Sequence, residues 1–171
     1  ATGSGKSVCM NLLITSMLFK FKPDELKLIM ADPKVVEFQP YSTLPHLIVP
    51  VITEAEKVSL ALRWAINEME RRYRVLAKVG VRDLTSFNAR QHNPACPEPL
   101  GDLGKVIPDT MPFNVIIIDE LADIMASAKA EVEQGLAKIA AKSRAVGIHT
   151  IIATQRPDVR VITGTIKANY P

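Results

Sequence analysis

ATGSGKS, at residues 1–7, is the most specific pattern in the chain. It matches the pattern G-x-x-x-x-G-K-[ST], whose leading glycine would precede Ala1. Glycines at positions 3 and 5 allow a tight turn in which successive main-chain N–H groups point at a polyphosphate. Lys6 is expected to reach the terminal phosphates, and Ser7 offers a hydroxyl to Mg²⁺. The alternative is a glycine turn before an ordinary helix. The candidate nucleotide-binding residues are Ala1, Thr2, Gly3, Ser4, Gly5, Lys6 and Ser7.

A second pattern, NVIIIDE, occupies residues 114–120. Its run of β-branched residues predicts a strand buried on both faces of a parallel sheet. Acids at the carboxyl end of such a strand lie where α/β sheets bind ligands. In P-loop hydrolases the first acid, here Asp119, helps to hold Mg²⁺, and the second, Glu120, polarises the attacking water. The alternative is that both acids only cap the next helix. The two patterns together favour ATP hydrolysis, because binding alone needs no glutamate at position 120.

Length and composition indicate one domain with a sizeable core, at 171 residues and 47% apolar content. Because no strand precedes the phosphate-binding loop, we expect the chain to be a segment of a longer protein. No apolar run is long enough to span a membrane. Cys9 and Cys96 lack metal-ligand spacing and favour a reducing compartment. The net charge of +3 neither requires nor excludes a nucleic-acid partner.

The first part of the chain predicts a largely buried helix over residues 8–20 and a short strand over residues 26–31. Asp32, which follows that strand, is interpreted first as a turn residue and second as a site carboxylate. Thr53 and Glu56 have the spacing of a capping box, which would open a long helix that ends at Gly80. The expected buried stripe of this helix is Val58, Leu62, Ala65, Met69, Tyr73 and Leu76.

The opposite face of the long helix is rich in charge. Two pairs, Glu68 with Arg72 and Glu70 with Arg74, have the i,i+4 spacing of helical ion pairs. The first interpretation is a solvated face, and the second is a subunit interface. The expected outer residues are Arg63, Glu68, Glu70, Arg71, Arg72 and Arg74.

The second half begins with a proline-rich stretch of little periodicity, residues 91–112, which predicts a surface excursion or a mobile lid. An amphipathic helix is then expected to run to Arg144 and to stop at Gly147, followed by a strand over residues 149–153. Thr154 and Gln155 would end this strand beside Asp119, either as a γ-phosphate sensor or as a turn before Pro157. The element order predicts an α/β fold, a parallel sheet with helices on both faces.

These residues resemble the FtsK/SpoIIIE DNA translocases, RecA-like hexameric ATPases that pump double-stranded DNA in cell division and sporulation. The resemblance covers nearly the whole chain, although Ser143 and Val146 stand where that family often has alanine. Its blocks are TGSGKS at 2–7, LIMADPK at 28–34, PHL at 45–47, ALRWAINEMERRY at 61–73, GVR at 80–82, FN at 87–88, IIIDELADIM at 116–125, SRAVGIHTIIATQRP at 143–157 and VITGTIKANYP at 161–171.

The resemblance implies ATP and Mg²⁺ as cofactors and one RecA-like motor core over residues 1–171. It implies a homo-hexamer with ATP sites between subunits, double-stranded DNA as the partner, and a bacterial cytoplasmic location with any membrane anchor outside this segment. Arg144 matches the arginine supplied to a neighbour's ATP site. Arg156 and Lys167 match two pore loops that grip the DNA backbone, a contact that needs charge but no base recognition. Arg160 is interpreted as an ordinary exposed residue.

Two other functions remain open at this stage. One is a related pump of the same superfamily that moves protein in type VII secretion or single-stranded DNA in conjugation. The other is an assembly subunit that binds ATP without turnover. The continuous blocks containing NEMERRY and ATQRP argue against the first, and intact Lys6, Asp119 and Glu120 argue against the second.

Overall fold

The computed structural model describes residues 5–91 and 107–170. In this part of the chain, three parallel strands form one sheet in the order β1-β2-β3. They are β1 (Leu26–Ala31), β2 (Phe113–Ile118) and β3 (Ile148–Ile152). Because Ala31 pairs with Ile118 and Ile118 with Ile152, all three strands end at the same level. Residues that follow the strands are therefore brought together at one edge of the sheet.

Helices cover both faces of this sheet, which confirms the predicted α/β fold. Alternate strand residues such as Met30 and Ile117 pack with α1, and the residues between them, such as Ile116, pack with α2 and α4. A 3-10 turn over Gln39–Tyr41 lies in the connection after β1. The helices are α1 (Lys6–Lys20), α2 (Ala55–Val79), α3 (Leu84–Ala89), α4 (Leu121–Lys142) and α5 (Gly164–Asn169).

The first helix is less buried than its composition predicts. Only Met10 and Ile14 are buried, whereas Leu12 is 63% exposed and Phe19 is 89% exposed. The expectation of a largely buried helix was wrong because α1 contacts the sheet along one narrow stripe. Met17 and Leu18 are partly buried against the core, whereas Val8, Leu12, Leu13 and Phe19 are exposed.

The long helix α2 differs from its prediction at its start. Glu54 occupies the N-cap position with extended backbone and makes no side-chain capping bond. The capping box from Thr53 to Glu56 is therefore wrong, because Thr53 lies one residue outside the cap. The end is as predicted, since Gly80 adopts the left-handed φ of 78° that glycine tolerates best.

The buried stripe of α2 is confirmed at its first four positions and at Leu76, but Tyr73 is 38% exposed and Arg72 is only 1% exposed. Arg72 was expected on the outer face. Three residues after Met69 the helix turns Arg72 inward, against the segment before β3. The Glu68–Arg72 pair is confirmed at 2.8 Å, while Glu70 pairs with Lys138 of α4 rather than with Arg74.

The connection from α4 to β3 is a turn over residues 143–147. α4 ends at Lys142, two residues before the predicted end at Arg144, and β3 starts one residue before its predicted start. Gly147 has a φ of 71°, and a Cβ there would lie 2.1 Å from Leu84 Cδ2 of α3, a helix that was not predicted. Only glycine therefore fits the exit of this turn.

The proline-rich stretch falls mostly outside the described residues, which resume at position 107. The described end is not a surface excursion, because Ile107 is 4% exposed and Met111 is 2% exposed. Both side chains join the core on the α2 side of the sheet. This end of the stretch is therefore anchored to the domain.

Candidate functional site

The candidate site lies where the three strands end. Asp119 and Glu120 follow β2, Thr154 lies two residues beyond β3, and the start of α1 faces them. Ala1, Thr2, Gly3 and Ser4 lie outside the described residues. Gly5 is the N-cap of α1 with a left-handed φ of 80°, so it supplies the conformation that a glycine at this position of the motif allows.

Lys6 connects the two sequence motifs that were predicted to act together. Its Nζ lies 3.0 Å from Asp119 Oδ1 and 3.5 Å from Glu120 Oε2. The side chains of both acids are almost completely buried, at 3% and 2% exposure, and that of Lys6 is 13% exposed. Two carboxylates therefore share one ammonium group in a poorly solvated space.

Asp119 is the less satisfied of the two acids. Its Oδ1 is buried and forms an ion pair with Lys6, but it accepts no hydrogen bond from any residue that the structure describes. Burial raises the pKa of Asp119, the Lys6 ammonium opposes that rise, and the negative charges of Asp32 and Glu37 add to it. An additional positive charge near this oxygen would stabilise its ionised form.

Glu120 is held by several donors. Its Oε2 accepts from the Gln155 N–H at 2.9 Å, and its Oε1 accepts from the Thr154 hydroxyl and, at 3.4 Å, from the Ala122 N–H. Burial alone would raise the pKa of Glu120, but the bonds from Thr154 and Gln155, with the Lys6 charge, lower it. Glu120 is also the N-cap of α4. The helix-capping alternative is thus fulfilled by the same residue that lies beside Lys6.

Thr154 and Gln155 meet Glu120 rather than Asp119. It is the main-chain N–H of Gln155 that reaches the carboxylate, and its side chain is exposed. The Arg156 N–H in turn donates to the Thr154 hydroxyl at 3.1 Å. A continuous set of hydrogen bonds therefore leads from Glu120 to the residue expected to contact DNA.

Glu37 is a site residue that sequence reasoning missed. The Ser7 hydroxyl donates to Glu37 Oε1 at 2.7 Å. Asp32 shapes the loop that presents Glu37 by accepting from the N–H groups of Lys34, Val36 and Phe38 at 2.9–3.2 Å. Asp32 is therefore a turn residue, as the favoured interpretation had it. No spacing in the sequence pointed to Glu37.

The residues present fit a nucleotide with Mg²⁺. The Ser7 hydroxyl donates its hydrogen bond to Glu37, which leaves its oxygen lone pairs for a cation, and Asp119 Oδ1 has no hydrogen-bond donor in the part of the chain that the structure describes. Within residues 5–91 and 107–170, no three His, Cys, Asp or Glu side chains cluster to form a metal site by themselves. Mg²⁺ is usually bound by one or two protein oxygens together with water and phosphate, and the oxygens of Ser7 and Asp119 are of this kind.

Arg144 lies at the other end of the sheet. It is exposed in the turn before β3, whereas the site lies beyond the carboxyl end of that strand. β3 has five residues, so it spans about 17 Å at ~3.3 Å per residue. Arg144 is therefore not brought together with Lys6, Asp119 and Glu120 of its own chain.

Arg156 and Lys167 are both exposed, but they differ in setting. Arg156 follows the Gln155 contact in an irregular segment. Lys167 lies in the last turn of α5, which Thr163 caps by accepting from Ile166 N–H, and so it is on a short helix rather than in a loop. Arg160 Nη2 lies 3.5 Å from Asp158 Oδ2, and the Arg160 side chain is 86% exposed.

The described part of the chain contains no helix of sufficient length and apolar character to cross a membrane. The FtsK/SpoIIIE family profile matches residues 1–159. The whole chain is 50% identical to part of the DNA translocase SftA of Bacillus subtilis and covers 17% of it. It is 46% identical to part of the DNA translocase FtsK of Haemophilus influenzae and covers 34% of that protein. The chain thus spans between 17% and 34% of the length of these relatives.

Solved structures show the same fold. The conjugation coupling protein TcpA of pCW3, in a monomer form with ATPγS, superimposes with a TM-score of 0.76 at 28% identity, over 99% of this chain and 45% of that one. The type VII secretion ATPase EccC of Thermomonospora curvata, in complex with a signal sequence peptide, superimposes with a TM-score of 0.77 at 17% identity. The match covers 98% of this chain and 28% of that one. The second likeness shows the fold alone.

Proposed function

The chain belongs to the FtsK/SpoIIIE family, and on this basis we propose that it is the ATP-hydrolysing core of a ring-shaped motor that moves double-stranded DNA. One observation carries the proposal: Lys6, Asp119 and Glu120 meet within 3.5 Å at the carboxyl end of the central strand. A cation between two acids at this edge is suited to receive a polyphosphate, which would compete with the carboxylates for Lys6.

Each residue has a separate part in the proposed hydrolysis. Lys6 would bind the terminal phosphates as a point charge, and Ser7 and Asp119 would hold Mg²⁺, directly or through water. Bound there, Mg²⁺ would neutralise charge that develops on the phosphates. Glu120 orients the attacking water and accepts its proton, which requires an ionised carboxylate. The lowered pKa of Glu120 supplies that state.

The contact between Glu120 and the Gln155 N–H links hydrolysis to DNA in this proposal. A change in the position of Glu120 would alter its bonds to Thr154 and Gln155, and the Arg156 main chain is bonded to Thr154. Arg156 and Lys167, both exposed cations, would contact phosphates of the duplex without reading bases.

Arg144 is proposed to act on the nucleotide of a neighbouring subunit in a hexamer. Its position at the opposite end of β3 from its own site supports action in trans. Subunits carrying Arg144→Ala, mixed with subunits carrying Lys6→Ala, should then recover activity at interfaces that pair an intact loop with an intact arginine. Failure of every mixture, with hexamers formed, would contradict this part of the proposal or require strict coordination around the ring.

The proposed function is tested by ATP turnover in the full-length protein with duplex DNA, single-stranded DNA or no DNA. Duplex DNA should raise the rate of ATP turnover most. Lys6→Ala should abolish turnover in all three conditions. Stimulation by single strands alone would favour a conjugative pump, and turnover indifferent to DNA would favour a protein pump. Absence of turnover in all conditions would favour an ATP-binding assembly subunit.

A further inference from the structure

The turn that carries Arg144 is held by two consecutive residues of α2. Arg72 Nη1 donates to the Val146 carbonyl at 2.9 Å, and the Tyr73 hydroxyl donates to the Lys142 carbonyl. These carbonyls lie two residues after and two residues before Arg144. The NEMERRY block, which has no part in the proposed chemistry, therefore binds the main chain on both sides of Arg144.

Arg72 is itself fixed in position. Its Nε donates to Glu68 Oε1 at 2.8 Å, and Nη2 donates to the Asn114 side-chain oxygen at 3.1 Å in the amide orientation that suits both neighbours. Burial alone would raise the pKa of Glu68, but hydrogen bonds from Arg71 and Arg72 lower it, so Glu68 stays ionised. The bonds to Glu68 and Asn114 fix the plane of the guanidinium, so that its bond from Nη1 can place the Val146 carbonyl accurately.

Other contacts fix the rest of the turn. The Leu84 N–H donates to the Ala145 carbonyl at 2.8 Å, and the Asn114 N–H donates to the Gly147 carbonyl at 2.9 Å. By contrast, the exposed Arg144 guanidinium has no hydrogen bond or ion pair with any residue in the described ranges. The main chain around Arg144 is thus hydrogen-bonded by α2, α3 and β2, whereas the Arg144 guanidinium has no hydrogen-bond or ion-pair partner in these elements.

We propose that Arg72 and Tyr73 are positioning residues that hold the main chain on either side of Arg144, so that its guanidinium reaches the nucleotide of the neighbouring subunit. The inference rests on the proposed function of Arg144 in trans. Positioning matters because a displacement of ~1 Å at a group that contacts the reacting phosphate can cost about 100-fold in rate.

The first test is Tyr73→Phe in the full-length protein, since this half-exposed residue loses only a hydroxyl. We expect kcat for DNA-stimulated hydrolysis to fall about 3- to 10-fold, with nucleotide affinity unchanged because Lys6, Ser7 and Asp119, which are proposed to bind the nucleotide and Mg²⁺, are not altered. Arg72→Lys, which keeps the charge but loses the planar fork, should lower kcat further. The matched control is Arg71→Lys, because Arg71 also binds Glu68 but otherwise contacts Met111 Sδ.

A double-mutant cycle separates positioning from general stability. In the Arg144→Ala background, adding Tyr73→Phe or Arg72→Lys should cause no further loss of kcat, whereas a merely structural role would lower activity in both backgrounds. Thermal unfolding of each variant is measured in parallel. In mixed rings, the defect should follow the subunit that supplies Arg144 and not the subunit that binds the nucleotide.

The outcomes separate this inference from its premise. If Arg144→Ala retains wild-type turnover, the trans role of Arg144 fails and the inference fails with it. If Arg144→Ala is inactive but Tyr73→Phe and Arg72→Lys both keep wild-type kcat, only the positioning role is overturned. Equal losses from Tyr73→Phe with and without Arg144 would overturn it as well.

Discussion

The two ends of the β-sheet both bury charge, but they balance it differently. At the carboxyl end, Asp119 and Glu120 share the ammonium of Lys6, and Asp119 Oδ1 accepts no hydrogen bond within residues 5–91 and 107–170. At the amino end, the Arg72 guanidinium finds acceptors on Glu68, on the Val146 carbonyl and on Asn114. Asp119 and Arg72 are equally buried, at 2% and 1% exposure.

Burial of charge therefore does not by itself distinguish a binding site from a scaffold. The balance of donors and acceptors does, because an unmatched buried group costs free energy that a ligand can recover, whereas a matched network is already satisfied. By this criterion the carboxyl end is prepared for a charged ligand. The amino end is prepared to hold a turn in place.

The largest expected effect is on turnover at the carboxyl end. Glu120→Gln keeps the shape of the side chain but removes the proton acceptor, so ATP turnover of the full-length protein should fall about 10²- to 10⁴-fold. Nucleotide affinity should change little because Lys6 is intact. Single-turnover hydrolysis and equilibrium binding of ATP check the two statements. Wild-type turnover in the assembled variant would show that another residue is the base.

The largest expected effect at the amino end is on stability. Arg72→Met fills a similar volume but leaves the buried Val146 carbonyl without its donor and Glu68 with Arg71 alone, which should cost about 3 kcal/mol of unfolding free energy. Hydrogen exchange of peptides from α2 and from residues 143–152 measures the loss. Lys6→Met is the comparison variant, whose main effect should be on ATP affinity. Unchanged exchange in Arg72→Met would contradict the description of the amino end as a scaffold.

The contributions of Glu68 and Asp119 to the pH dependence of stability should have opposite signs. The pKa of Glu68 is lowered, so its stabilising contribution is present above its unfolded value and is lost as pH falls through the folded value. The pKa of Asp119 is raised by burial, so its ionised form opposes folding at neutral pH and protonation relieves this cost as pH falls.

Two isosteric variants test these signs in the full-length protein. At neutral pH, Asp119→Asn should raise the unfolding midpoint and Glu68→Gln should lower it. Both differences should shrink as the pH falls from about 7 to about 3. Thermal unfolding across this range checks the prediction. Destabilisation by Asp119→Asn at neutral pH would mean that the Lys6 contact outweighs the burial of the charge.

The sequence was sufficient to predict Lys6, Asp119 and Glu120 at the carboxyl end, because each belongs to a short contiguous motif. The span of β1 was correct to the residue, and Lys6, Asp119 and Glu120 lie together as their motifs predicted. Each of these residues follows or precedes an element with strong periodicity. The parallel pairing of the strands then brings them to one edge.

The amino end and Glu37 could not be predicted in the same way. An i,i+4 pair such as Glu68 and Arg72 has the same spacing on a solvated face and against a neighbouring segment, so only packing against residues 143–147 reveals that Arg72 is buried. The position of Glu37 depends on a loop. Three hydrogen bonds from main-chain N–H groups to the Asp32 carboxylate shape this loop, together with the left-handed φ of 56° at Val35. Such loop geometry leaves no periodic signal in the sequence.

The exposed cations after β3 should give the smallest effects, because surface charges remain solvated. We expect Arg156→Ala and Lys167→Ala each to reduce the slope of log affinity for duplex DNA against log salt by about 1, since each phosphate contact releases roughly one counterion. Sequence preference should not change. The ratio of ATPase rates with and without duplex DNA should also fall in both variants.

Arg160 provides the matched control for these two variants. It is also an exposed cation, but it lies near Asp158, and its own N–H donates to that carboxylate at 2.8 Å. Arg160→Ala should therefore keep the wild-type salt slope and the wild-type DNA stimulation. Binding is measured at several salt concentrations for all three variants of the full-length protein. If all three variants lower the slope equally, the local excess of positive charge, and not specific contacts by Arg156 and Lys167, accounts for DNA affinity. If none of the three changes the slope, the DNA contact lies elsewhere.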